Sequence, residues 1–535
     1  LERNFVKGAI ILAIGSLVSR SLGAVYRIIL PILMGGGEQG AQGMALFSMA
    51  YPVYTIILSL SAVGIPLAIS KMVSESLAHG NELEAYQIFK TSLKLLAVLG
   101  IVLSLGMFLG AEFLATRVYE DPLALYSIAA LAPAVFFVSL MSAYWGYFQG
   151  MQDMTPHAVS QIVEQIVRIA TMFILAVLLI PYGIEYAAAG ATFGAVTGAL
   201  VGLIYLIYVY MKKRNTLKPK SQVQVGSVPS TPAIAKEIAR LAIPISLAGM
   251  ILPLMNFLDT IIVPSRLQHG GFTLEEARTL FGYLSSYAFP FINVPAILTT
   301  ALAVSLVPAI SESSALRDYE AVRNRTRTAL RLVLVLVLPA MMGLFLLAEP
   351  IVVLLFKAPE AGPILQILAT ATLFLGFQQI SSATLQGLGK PLIPMTNLLA
   401  GAFVKTVVTY TFTVDPAWNV KAAAWGTVLG FMVAAILNLY RVERIIGNVL
   451  DLKSMVLKPA ISVAVMSFAV VGSYVYLEAW RGASAATIGA IGVGTLIYGL
   501  VLLVVGGITE RDLMTIPGIG AKMVRILKSL RLLRS

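Results

Sequence analysis

Arg20 and Arg27 stand seven residues apart in one apolar stretch, so a helix carries both on the same face. A guanidinium keeps its charge and offers a planar donor fork matched to phosphate oxygens. The chemistry this suggests is capture of a diphosphate; the bland alternatives are a structural ion pair for Arg20 and snorkelling for Arg27. Gln161, Glu164 and Arg168 follow at spacings of three and four, again one helical face. There Glu164 and Arg168 either neutralise one another or meet a substrate. Asn256 and Asp259 lie one turn apart, an amide oxygen beside a carboxylate. That pair suits Na⁺ or a proton, or else balances a buried arginine such as Arg20. Asn397 and Lys405 form a further polar pair, with Lys405 facing a cavity or snorkelling to an interface. Gln378 and Gln379 read as weaker candidates, because a glutamine can simply hydrogen-bond a neighbouring helix.

These side chains need an unusual setting. Hydrophobic residues make up 58% of the 535 positions and charged residues 12%, about half the ~25% typical of a soluble domain. The apolar residues come in runs of about 20, enough to cross ~30 Å of hydrocarbon. An ionised group at that depth costs ~2.5–3.5 kcal/mol on insertion scales, so charges kept there usually line a cavity or pair. The chain therefore reads as an all-α integral membrane protein with fourteen transmembrane helices. They are expected near 8–33, 44–70, 92–114, 123–149, 157–180, 186–210, 241–264, 281–310, 329–347, 363–386, 392–413, 422–440, 455–476 and 485–506.

The net charge of +12 would suggest nucleic acid in a soluble protein. Here the basic residues cluster between spans, as at Lys212, Lys213 and Arg214, at Arg323, Arg325 and Arg327, and in the tail from Lys522 to Arg534. All fall on one side of a fourteen-span chain, which places both termini in the cytoplasm. The tail is expected to lie on anionic lipid, and no nucleic acid is expected. With no cysteine, disulfides and thiolate metal sites are excluded. No phosphate-cradling Gly-rich loop with Lys-Ser/Thr is present, and His79, His157 and His269 are far apart, so neither an ATPase nor a metal hydrolase is indicated. The chain is expected to be a carrier for a large anion, not an enzyme, without a cofactor. Coupling to Na⁺, H⁺ or the membrane potential stays open, and nothing in the sequence fixes the oligomeric state, though a monomer suffices.

A shift of 237 residues brings the two halves into register. Ala111-Glu112 falls on Ala348-Glu349, Tyr119 and Pro122 on Phe356 and Pro359, and Gln149-Gly150 on Gln386-Gly387. Lys90 and Lys94 fall on Arg327 and Arg331, and Arg168 on Lys405. Two parallel six-helix repeats are expected, with two extra C-terminal helices and the substrate site near the midplane between the halves. The division is 1–212 for the first lobe, 213–237 for a cytoplasmic linker and 238–447 for the second lobe. Residues 448–508 carry spans thirteen and fourteen, and 509–535 the basic tail.

The run Ser19-Arg20-Ser21-Leu22-Gly23-Ala24-Val25-Tyr26-Arg27, the Gly64-Ile65-Pro66 stretch and the Phe148-Gln149-Gly150 turn give a resemblance. With the six-plus-six-plus-two layout, the chain resembles the lipid II flippase branch of the multidrug/oligosaccharidyl-lipid/polysaccharide exporter superfamily. It looks most like the stage V sporulation protein B subgroup of Gram-positive bacteria. The resemblance implies two lobes around a cationic cavity, alternating access, and an undecaprenyl-diphosphate-linked sugar as substrate, lipid II first among them. A flippase for another lipid-linked polysaccharide precursor, or a drug/cation antiporter of the same superfamily, are the alternatives. It further implies that Arg20 matches a functional span-one arginine, and Arg27 a second at a spacing one residue longer. Asp259 and Asn397 are similar to sodium ligands. Ile56 and Pro290 stand where some members carry further cavity arginines, and Gly401 where another acidic sodium ligand would fall. The implied location is the bacterial cytoplasmic membrane.

Overall fold

The computed structural model describes residues 22–23, 26–217, 230–449 and 452–506. Every regular element among them is helical. The order is α1 (26–33), α2 (Gly37–Leu58), α3 (Gly64–Ala78), α4 (Glu82–Leu109), α5 (Ala111–Phe113), α6 (Ala124–Gly150), α7 (Thr155–Leu179), α8 (Ile184–Leu217) and α9 (Thr231–Gly249). Then come α10 (Ile251–His269), α11 (Leu274–Gly282), α12 (Phe289–Ala315), α13 (Tyr319–Leu346) and α14 (Ala348–Phe356). The last are α15 (Gly362–Gly387), α16 (Leu392–Phe412), α17 (Asn419–Ile446), α18 (Leu452–Arg481) and α19 (Ala483–Val504). In hydrocarbon a backbone must satisfy its own hydrogen bonds, and helices do so within one segment.

By length and composition, twelve helical stretches among the described residues can cross a membrane, and a bent pair makes a thirteenth. The expected first span enters the description at 22–23 and 26–33, both helical. Polar caps carry several spans beyond their apolar windows. Asn81 accepts the Glu84 N–H at 3.0 Å and starts the third span at Glu82 rather than near 92. Asp318 does the same for Ala321 at 2.9 Å, so the ninth starts at Tyr319.

Two spans are less regular than expected. The second runs from Gly37 to Ala78 through a π-helical turn at Ser59–Val63. Gly64 follows that turn. A Cβ there would overlap the Ala242 carbonyl and lie 2.5 Å from the Ser246 hydroxyl, so the glycine lets α9 approach. The seventh, expected as one helix over 241–264, is instead α9 and α10 bent by 52°. Pro253 lacks the N–H that would bond the Gly249 carbonyl, and Pro244 weakens the turn before, so the ladder breaks where glycine permits it.

The chain forms two compact units, Leu1–Ser286 and Tyr287–Ser535. The boundary lies beyond the linker expected at 213–237. Residues 213–217 continue α8, 231–237 open α9, and 218–229 lie outside the described residues. Helices α9 to α11 pack within the first unit because α9 seats on α3, and α10 and α11 seat on α2. The basic tail, 509–535, is outside the described residues.

Each unit has its own core, and the repeat is visible in both. Ile69, Val73, Ala85, Leu96, Ala143 and Phe148 are buried together in the first. Leu306, Ile310, Val322, Val333, Ile380 and Leu385, the residues at the 237 offset, are buried together in the second. The close approaches repeat too. A Cβ on Gly150 would stand 2.6 Å from Val73 and 2.9 Å from the Ser70 carbonyl. On Gly387 it would stand 2.7 Å from Ile310 and 2.9 Å from the Val307 carbonyl.

Candidate functional site

In the first unit, α7 and α8 meet along a stripe of glycines. Gly190, Gly194, Gly198 and Gly202 recur every fourth residue of α8 and form one face. A Cβ on Gly194 would lie 2.6 Å from the Arg168 carbonyl, and one on Gly198 2.6 Å from the Glu164 carbonyl and 2.9 Å from the Arg168 Cβ. This contact fixes the rotation of α7. Gly198→Val is therefore expected to push the two helices apart, at about 1–3 kcal/mol for overpacking a close contact. A fall of several degrees in the thermal unfolding of the detergent-solubilised protein would register it, and an unchanged melting curve would contradict it.

On that fixed helix Gln161, Glu164 and Arg168 share one face, as their spacing implies. Arg168 Nη2 donates to Glu164 Oε1 at 2.7 Å, with both side chains at least 85% buried (15% and 12% exposed). Around the pair stand three tyrosines that carry no charge signal in the sequence. Tyr51 and Tyr54 of α2 and Tyr26 of α1 all interact electrostatically with the Arg168 guanidinium. Arg27, half-buried on α1, interacts with Tyr26 and Tyr51. Phe47 packs on Tyr51 at a tilt of 36° with ring centroids 4.6 Å apart, and Tyr51 meets Tyr54 edge-on at 6.0 Å. Leu30, Met34, Met44 and Met172 close an apolar layer beside them. The cluster thus holds two guanidinium groups against one carboxylate. A tyrosine in an apolar helix reads as core in sequence, and only the Phe47, Tyr51, Tyr54 spacing of four and three hints at a shared face.

The other expected residues are distributed as follows. Arg20 lies outside the described residues. Asn256 and Asp259 sit on α10 in the first unit, Asn256 exposed and Asp259 half-buried. Asn397 and Lys405 sit on α16 in the second unit. Lys405 is 6% exposed. A Cβ on Gly426 would lie 3.0 Å from its carbonyl, and one on Gly430 3.0 Å from its Cβ. Gly426 and Gly430 on α17 thus do for Lys405 what Gly194 and Gly198 do for Arg168, and the matching of these two cations is carried by packing as well as by sequence. Asn397 donates to Asn438 Oδ1 at 2.8 Å, Asn438 to Ser382 Oγ at 2.9 Å, and Gln378 to the same Ser382 at 3.2 Å. Gln379 accepts from Thr299. Gln379 thus ties α15 to α12, whereas Gln378 bonds within α15 itself.

One further constellation had no sequence signal. Arg278 of α11 donates from Nε and Nη2 to Asp121 at 2.7 and 2.6 Å, with side-chain exposures of 8% and 0%. Asp121 also accepts the Leu123 N–H at 3.1 Å, and it follows Glu120, whose φ of 55° turns the chain sharply. Nearby, Tyr119 donates to the Met49 carbonyl at 2.9 Å, and Gln42 to Glu275 and Thr279 at 3.1 Å each. A side chain at Gly282 would overlap the Ala41 carbonyl. The 157-residue separation of the ion-pair partners hides it from any pattern reading.

The profile described as "Polysaccharide biosynthesis protein" matches residues 5–314, more than half the chain, and the MatE profile matches 284–411. The chain is 29% identical to stage V sporulation protein B of Bacillus subtilis (strain 168) over 533 residues, covering 98% of this chain and 100% of that one. It is 27% identical to the lipid II flippase MurJ of the same organism, covering 84% of each. Among solved structures, "Lipid II flippase MurJ, inward closed conformation" shares the fold with a TM-score of 0.69 at 15% identity, covering 94% of this chain and 100% of that one.

Proposed function

Because this chain belongs to the polysaccharide biosynthesis protein family of the multidrug/oligosaccharidyl-lipid/polysaccharide exporter superfamily, we propose that it is a multi-pass membrane flippase. Its cargo is an undecaprenyl-diphosphate-linked sugar, lipid II first, carried from the cytoplasmic to the outer leaflet of a bacterial cytoplasmic membrane by alternating access. The observation that carries the reading is the excess of guanidinium over carboxylate in the tyrosine-rimmed cluster of the first unit.

The cargo has a polar head that hydrocarbon rejects and a polyprenyl tail that need not leave it. The protein's task is to replace the water and counterions of the diphosphate. Arg27 and Arg168 supply charge-assisted donors, and Arg20, seven residues before Arg27 in the sequence, would add a third. Gln161 extends the polar wall by one turn, while Glu164 tempers Arg168 so that cargo is released as well as held. Lys405 presents the equivalent cation in the second repeat. No bond is made or broken, so the protein acts as a carrier and not as an enzyme. Outward movement of an anion from a negative interior is favoured by ~2.3 kcal/mol per charge per 100 mV, which makes the membrane potential a sufficient drive. Asp259 with Asn256, and Asn397 in the second unit, are the positions through which Na⁺ or H⁺ coupling would act.

The test is rescue of a bacterium depleted of its lipid II flippase. Wild-type protein is expected to restore growth. Arg20→Ala with Arg27→Ala is expected to abolish rescue at normal membrane levels, since a hydrogen bond to a charged group contributes ~1.5–3 kcal/mol. Failure of the wild type to rescue, or full rescue by the double variant, would sink the reading. Drug efflux in place of rescue would favour the antiporter.

A further inference from the structure

We infer that Tyr51 and Tyr54 are cargo-contacting residues that, with Arg168 Nε, form a ready-made receptor for one phosphate group of a polyprenyl diphosphate; this rests on the flippase reading above. Among the described residues, the Tyr51 hydroxyl, the Tyr54 hydroxyl and Arg168 Nε are all buried without a hydrogen bond of ordinary geometry, the Tyr54 hydroxyl standing within polar reach of the Arg168 guanidinium. An unmet buried polar group costs about 1–3 kcal/mol, so three orphans in one place call for an explanation. They do gather in one place. The two rings touch edge-on at 6.0 Å, and both hydroxyls feel the charge of Arg168.

The chemistry of the three atoms selects the ligand. Arg168 Nε–H can only donate, and a phenol beside a guanidinium directs its proton outward to an acceptor. Glu164 already occupies Nη2 of the same guanidinium, while Nε is unengaged. A set of donors next to a net positive charge excludes a metal cation and suits an anionic oxygen. A neutral sugar would leave the charge unanswered. A phosphate offers several acceptor oxygens at once, enough to engage all three donors. The rings are rigidly placed: Phe47 packs on Tyr51 at 4.6 Å and Tyr26 on Phe47 at 6.4 Å, so little order is lost on binding.

The experiment uses the purified full chain in detergent, with thermal unfolding read against undecaprenyl diphosphate, inorganic pyrophosphate and phosphatidylglycerol. Wild type is expected to be stabilised by undecaprenyl diphosphate, more weakly by pyrophosphate, and not by phosphatidylglycerol. In Tyr51→Phe/Tyr54→Phe the apparent Kd for undecaprenyl diphosphate is expected to weaken at least tenfold. Its ligand-free melting temperature stays unchanged or rises, because the lost hydroxyls made no hydrogen bond of ordinary geometry. Equal binding by the double variant, or a clear drop in its ligand-free stability, overturns this inference alone. A wild type indifferent to both diphosphates, or equally stabilised by phosphatidylglycerol, overturns it together with the flippase reading.

Discussion

Replacing Arg278 by alanine is expected to destabilise the protein by about 3–5 kcal/mol, because it strands a buried carboxylate. Asp121 is fully enclosed and is held by two guanidinium bonds and one backbone N–H. Removing the guanidinium leaves that charge with no water to turn to. Arg278→Lys is expected to fall between, since an ammonium cannot reproduce the bidentate fork. Replacing both partners by apolar residues of similar volume, Asp121→Leu with Arg278→Met, is expected to recover most of the stability. Thermal unfolding in detergent measures all four proteins. The effect should also persist at high salt, because a buried pair is poorly screened. A single alanine variant as stable as wild type would show that the pair adds nothing to the seat of α11 on the first unit.

The second large effect is expected at Arg168. Arg168→Ala should abolish rescue of a flippase-depleted strain and should also lower stability by about 3–5 kcal/mol, because Glu164 would be left buried and alone. Those two losses have different origins, and the neutral pair separates them. Glu164→Gln with Arg168→Gln keeps a hydrogen-bonding contact one turn long and removes both charges. It is expected to unfold near the wild-type temperature and still to fail in rescue. Glu164→Gln alone frees the guanidinium and is expected to tighten diphosphate binding while slowing turnover. Rescue by the neutral pair would reduce Arg168 to a structural partner of Glu164.

Much of this architecture is legible in the sequence, for identifiable reasons. Apolar runs in a charge-poor chain mark the helices, and polar caps such as Asn81 explain why α4 begins before its apolar window. The repeat is legible because the residues that set helix spacing, Gly150 and Gly387, are also its most recognisable members. Glu164 and Arg168 are legible as a pair because four residues is one helical turn. What escapes is whatever depends on long-range contact. Asp121 and Arg278 look like separate loop and helix charges until the fold joins them. Tyr51 and Tyr54 look like core, since a phenol's role depends on whether its hydroxyl meets a partner. The bend between α9 and α10 needs Gly249 and Pro253 read together, which apolar averaging smooths away. The packing of α11 with the first unit follows from the bare backbone at Gly282, a property of one residue that no hydropathy window registers.

The glycine seams carry one more consequence. Gly198 leans on Glu164 and Arg168, and Gly430 leans on Gly401 and Lys405, so the seams correspond while the carboxylate has no counterpart. Duplicated halves here have kept their joinery and parted in polarity. An artificial tandem of two first halves would therefore assemble its helix pairs correctly yet present the same tempered cation twice, and the difference in polarity between the two halves would be gone.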